Sequence, residues 1–165
     1  MTAFTLICAI FVPSLLFSPE TPAALPEAVV TAMQAAGDNR AELERAWKEC
    51  PPQQRAGLAF LLTHMPDSDR KSLKADYLLE NLSLGYRARE NTPWGRSIPE
   101  EIFLNDVLPY ANLDETREAW RKSLMEMCLP MVKECKTARE AAQKLNSTLF
   151  GKVKVRYSTA RKKAN

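Results

Sequence analysis

Apolar residues recur at steps of three and four along most of this chain, in stretches separated by proline and by helix-capping residues. Residues 26–36 predict a first helix, with Pro26 at a favourable first helical position and Gly37 as its stop. Asn39, followed three residues later by Glu42 as in a capping box, opens a second. Its Leu43, Ala46, Trp47 and Cys50 hold the spacing of one buried face, and Pro51-Pro52 ends it. A third helix covers residues 53–65; its Phe60-Leu61-Leu62 run implies burial on most sides, and Pro66 closes it. The fourth, over residues 68–89, sets Leu78, Leu82 and Tyr86 on one stripe.

Periodicity then lapses through Asn91-Thr92-Pro93-Trp94-Gly95-Arg96-Ser97, which marks a possible subdomain break near residues 91–98. Pro99-Glu100-Glu101 reads as the acidic first turn of a short helix carrying Ile102, Phe103, Val107 and Leu108, with Pro109 as its stop. Asn112 with Glu115 repeats the capping pattern. The helix expected after it places Arg117, Trp120, Leu124, Met127 and Met131 at three- and four-residue steps, with a kink at Pro130. Thr137 with Glu140 opens a last helix, whose Ala141, Leu145 and Leu149 share a face and which Gly151 ends. Only Lys152-Val153-Lys154-Val155-Arg156-Tyr157 changes period; its basic and apolar residues alternate as in a half-buried strand. The expected fold is mainly α, a multi-helix orthogonal or irregular bundle with one short C-terminal β-strand. No internal repeat is visible.

The first 17 residues carry no charged side chain and are almost wholly apolar, though Pro13 interrupts them. They are short for a span, which needs roughly 20 apolar residues. Thr21-Pro22-Ala23 offers small residues where a signal peptidase would cut, although the leader lacks a leading Lys or Arg. Residues 1–23 are therefore expected to be a signal peptide of a secreted or periplasmic protein. The alternatives are an uncleaved membrane anchor over residues 4–17, and a mis-assigned start or buried helix. Residues 24–136 form the expected helical domain.

Composition changes little. With 45% hydrophobic and 26% charged residues in 165, the chain is ordinary for a globular protein, and five glycines favour helix over sheet. A net charge of +3, much of it in the last fifteen residues, is too small to imply nucleic acid.

Candidate chemistry is sparse. The single histidine, His64, lies inside an apolar helix and reads as a core or edge histidine. With the leader removed, Cys50, Cys128 and Cys135 remain, an odd number for a paired framework. Cys128 and Cys135 are seven apart, roughly 10 Å of helical rise, beyond disulfide reach, so buried free thiols are expected. Phosphate-cradling glycine patterns and zinc spacings are absent. Acid clusters at Asp67/Asp69, Glu100/Glu101 and Asp114/Glu115 fall in expected first turns, where carboxylates complement the helix dipole. Trp47 and Trp120 fit core faces; Trp94, in the break, is expected to pack across the joint. No catalytic, cofactor-binding or metal-binding residue is assigned, and no cofactor is expected.

One resemblance covers most of the chain after the leader. Asn39-Arg40-Ala41-Glu42-Leu43, Gln54-Arg55, Phe60-Leu61-Leu62, Met65-Pro66, Pro93-Trp94-Gly95 and the block Glu100-Glu101-Ile102-Phe103-Leu104-Asn105-Asp106-Val107-Leu108-Pro109-Tyr110-Ala111 carry it. So do Arg117, Trp120-Arg121, Thr137, Glu140-Ala141-Ala142, Leu145-Asn146, Phe150 and Val155-Arg156-Tyr157-Ser158. Together they resemble the N-terminal, pre-catalytic region of bacterial transglutaminase-like proteins. In that family a papain-type core follows, with a nucleophilic Cys at a helix start and His and Asp on later strands. None of those three has a counterpart here. The resemblance implies a non-catalytic module, not itself an enzyme, with residues 137–165 as the start of a truncated core. Its partner would be that core or another protein, with no nucleic acid, and with a membrane only through an uncleaved leader. The alternative is a free-standing helical binding or scaffold protein of the cell envelope.

Overall fold

The computed structural model describes residues 25–112 and 115–154, and among these the chain is mainly helical, with no strand. Helix α1 spans Glu27–Gln34, α2 Arg40–Glu49, α3 Arg55–His64, α4 Asp67–Arg70 and α5 Ala75–Glu90. Helix α6, Glu100–Ile102, continues as a π-turn over Phe103–Val107; α7 is Trp120–Val132 and α8 Ala138–Lys152.

Helices α1, α2, α3 and α5 and the α6 region enclose one apolar core. Val29, Leu43, Leu58, Leu62, Leu78, Leu82, Phe103 and Leu108 are its largest fully buried side chains. Helix α2 lies against α5, α1 packs on α3 and α2, α7 lies along α5, and α8 pairs with α7. A second, small cluster joins Val132, Cys135 and Ala141, with Trp94, Met131 and Leu145 packed on it. The break region contributes to both, since Trp94 serves the small cluster while Ile98 packs against the main core.

Several elements differ from the sequence expectation for reasons visible in their hydrogen bonds. The helix expected over residues 68–89 is broken into α4 and α5. Asn39 is buried between them and donates its amide to the carbonyls of Arg70 (3.1 Å) and Leu73 (2.9 Å). It therefore makes no capping bond at the start of α2. Glu42, its expected capping-box partner, accepts instead from the Ala75 N–H at 2.9 Å. One of the free donors at the start of α5 is thus satisfied from another helix.

After Asn112 the capping pattern is half realised. Glu115 accepts from the Asn112 backbone N–H and side-chain amide, yet helix begins only at Trp120. Thr137 does cap α8, accepting from the Glu140 N–H at 3.2 Å, while Glu140 reaches back to the N–H of Lys136.

The expected strand over residues 152–157 is not found where the chain is described. Lys152 closes α8, the Val153 N–H still bonds the Leu149 carbonyl at 2.9 Å, and Lys154 takes a left-handed conformation (φ 57°). The helix thus passes through Gly151 and stops at the left-handed residue, a position more often given to glycine. Residues 155–157 lie outside the described residues, as do the expected leader (1–23) and anchor (4–17).

Candidate functional site

A buried polar junction is the densest concentration of chemistry among the described residues. Asp69, 4% exposed, projects from α4 under a cavity of about 240 Å³ that His64, Asn105, Tyr110 and Arg117 also line. Both its carboxylate oxygens are engaged. Tyr110 donates its hydroxyl to Oδ2 at 2.7 Å, and Arg117 donates Nε–H to Oδ2 at 2.9 Å and Oδ1 at 3.1 Å. Arg117 also donates to the carbonyls of Asn112 and Glu115, holding the non-helical segment ahead of α7. Burial, with the Asp69 carboxylate beside it, pushes the Tyr110 phenol well above its usual range. The same carboxylate raises the Arg117 guanidinium. Asp69 does lie in the first turn of α4, as expected of a dipole-complementing acid, and there it is also the buried partner of an ion pair with Arg117.

Next to this junction, Trp120 and Arg121 close the end of the π-turn. Trp120 donates its indole N–H to the Tyr110 carbonyl at 3.0 Å. Arg121 donates to the carbonyls of Val107 (3.0 Å), Leu108 (3.2 Å) and Pro109, which a helix end leaves without intrahelical donors. Its remaining reach, to Asn81 Oδ1 at 3.4 Å, ties the same point to α5. Burial draws the Arg121 guanidinium below its ordinary value, the cost of taking this cation from water.

A second tie fixes the other end of the α6 segment. Arg89, at the end of α5, pairs with Glu100 and donates to the Ile98 carbonyl at 2.9 Å, with its guanidinium 4.5 Å over the Phe103 ring. Gly95 makes the intervening turn possible. A Cβ there would lie 2.1 Å from the Arg89 carbonyl oxygen and 2.5 Å from Thr92 Oγ1.

The remaining candidates are dispersed. His64 is exposed at the end of α3, its ring stacked on Phe60 (centroids 4.3 Å apart) and Nδ1 2.9 Å from the Phe60 carbonyl. Cys50 is 2% exposed, and burial pushes its thiol up to about 11, away from the thiolate that nucleophilic chemistry requires. Burial also raises Cys128; Cys135 is buried in the small cluster. All three are free thiols. Trp47 packs on the main core, with Arg55 6.0 Å from its ring centroid. Among the described residues no His, Cys, Asp and Glu side chains group as a metal site.

The Asp69–Tyr110–Arg117 junction and the Arg121 cap were not identified from sequence. Tyr110, Arg117 and Arg121 fall within the resembling blocks and Asp69 within an acid cluster, but no local spacing links them, since the pairings span 41 and 48 positions. No family model, curated protein or solved structure matches this chain.

Proposed function

We propose that this chain is the non-catalytic helical N-terminal module of an exported transglutaminase-like protein, shaping or covering the cleft of a Cys–His–Asp core supplied by further polypeptide. The observation that carries this reading is the work its family-like residues do. Asn39, Gly95, Phe103, Tyr110, Arg117, Trp120, Arg121 and Thr137, all within the resembling blocks, are structural ties or core residues rather than members of an open reactive cluster. A pattern fixed by such ties is what a scaffold would carry. The thiols fit the same role, since Cys50 and Cys128 are raised by burial rather than activated.

The coding DNA beyond codon 165 tests the proposal. A cysteine-headed helix followed by His and Asp, in the same or an adjacent frame, supports it. Unrelated sequence there, with a purified chain that folds cooperatively as a monomer, replaces it with a free-standing scaffold or binding protein of the cell envelope.

A further inference from the structure

The largest exposed apolar side chains of the main helical domain include two at its N-terminal edge. Leu25 is 42% and Val30 36% exposed. With Met33 and Trp47 they line a shallow groove of about 300 Å³ between α1 and α2. Three charged residues of α2 rim it. Arg40 and Glu44 neutralise each other at 2.7 Å, whereas Lys48 makes no ion pair among the described residues and leaves the rim with one net positive charge. An apolar floor with a tryptophan and a cationic rim is the arrangement of surfaces that sit at the bilayer boundary, where the indole and alkyl side chains enter and the cation meets phosphate.

Continuity with the leader sets the occupant. The uncharged apolar stretch of residues 1–17 ends eight positions before Leu25, so its end lies within about 28 Å of the groove even when fully extended. If that stretch enters a bilayer, the groove is held close to the lipid surface, and a weak contact there becomes intramolecular and is strengthened accordingly.

We propose that the α1–α2 edge, built from Leu25, Val30, Met33 and Trp47 with Lys48 at its rim, is a lipid-apposed face that lies on an anionic bilayer while the apolar leader is retained. This proposal stands apart from the transglutaminase-like reading and survives its failure.

The test uses the full chain with vesicles of phosphatidylcholine and phosphatidylglycerol whose acyl chains are brominated. Two readouts report on the face: quenching of the Trp47 fluorescence, isolated by difference from Trp47→Phe, and amide-exchange protection at residues 25–34 and 44–48. The face should quench and gain protection on vesicle binding, and Leu25→Asp with Val30→Asp should return both readouts to their lipid-free values. Those residues are exposed, so the double variant should keep the exchange protection of α3 and α5, which checks its fold in the same experiment. Vesicle binding without quenching or protection at the face would show attachment through the leader alone and overturn the proposal. So would protection of the groove in lipid-free protein, whether from the leader folding back or from a second copy.

Discussion

Arg117 grips Asp69 across 48 positions of chain, its Nε 2.9 Å from one carboxylate oxygen and 3.1 Å from the other. The pair fastens the entry to α7 onto α4, and Tyr110 adds the third member from the end of the α6 segment. Removing one partner of a buried ion pair leaves the other charge stranded. Asp69→Ala should therefore lose roughly 3 kcal/mol of stability. Tyr110→Phe deletes a single donor while Arg117 remains, and should cost about 1 kcal/mol. Urea unfolding of the two variants, compared at equal slope, checks the order.

Asn39 permits a sharper discrimination. As a capping residue it would be replaceable by serine, another good N-cap. As the bridge between the Arg70 and Leu73 carbonyls it is not, because a hydroxyl is too short and has only one proton to donate. Asn39→Ser and Asn39→Ala should both lose about 2 kcal/mol in thermal or urea unfolding, leaving buried carbonyls unpaired. Recovery of stability in Asn39→Ser alone would restore the capping role.

These cases show what was legible in the sequence. The core faces of α2 and α5 were, because Leu43, Ala46, Leu78 and Leu82 keep local three- and four-residue spacing and are all buried. The division of residues 68–89 was not, since the groups responsible, Asn39 and Glu42, sit more than thirty positions upstream. Glu115 did accept from the Asn112 N–H, the glutamate half of a capping box, yet Arg117 draws the following residues toward Asp69 and the helix waits until Trp120. At Gly151 the competing signal was local: the Val153 N–H continued the helical ladder, so the alternation at residues 152–154 did not make a strand. The Asp69 junction joins α4 to residues 41 and 48 positions away and leaves no periodic trace.

Gly95 and Gly57 should separate in their tolerance of a methyl group. At Gly95 the added Cβ meets backbone, the Arg89 carbonyl, which cannot move without undoing the end of α5. At Gly57 it meets the Leu108 and Tyr86 side chains at 2.9 Å, which can shift. Gly95→Ala should unfold at lower urea than Gly57→Ala, with a loss above the 1–3 kcal/mol or so typical of overpacking.

The pH dependence has two limbs. Glu42 is held below the usual glutamate range, first by the Ala75 N–H and then by Arg45. Its folded value lies under its unfolded one, so its contribution is present at neutral pH and lost as pH falls below about 4.3. Tyr110 is raised by burial and by Asp69, so its contribution is intact at neutral pH and lost as pH climbs above about 10. Urea midpoints across pH should show both declines; Glu42→Gln should flatten the acid limb and Tyr110→Phe the alkaline one.

If the chain is the non-catalytic scaffold proposed above, it does no thiol chemistry of its own, and one assay meets that directly. The purified chain is incubated with a glutamine-containing peptide and a primary amine, and cross-linking and hydrolysis are followed together. The scaffold reading predicts no turnover above the protein-free control, and no change on replacing Cys50, Cys128 or Cys135 by serine. Turnover that one of those substitutions abolishes would contradict it.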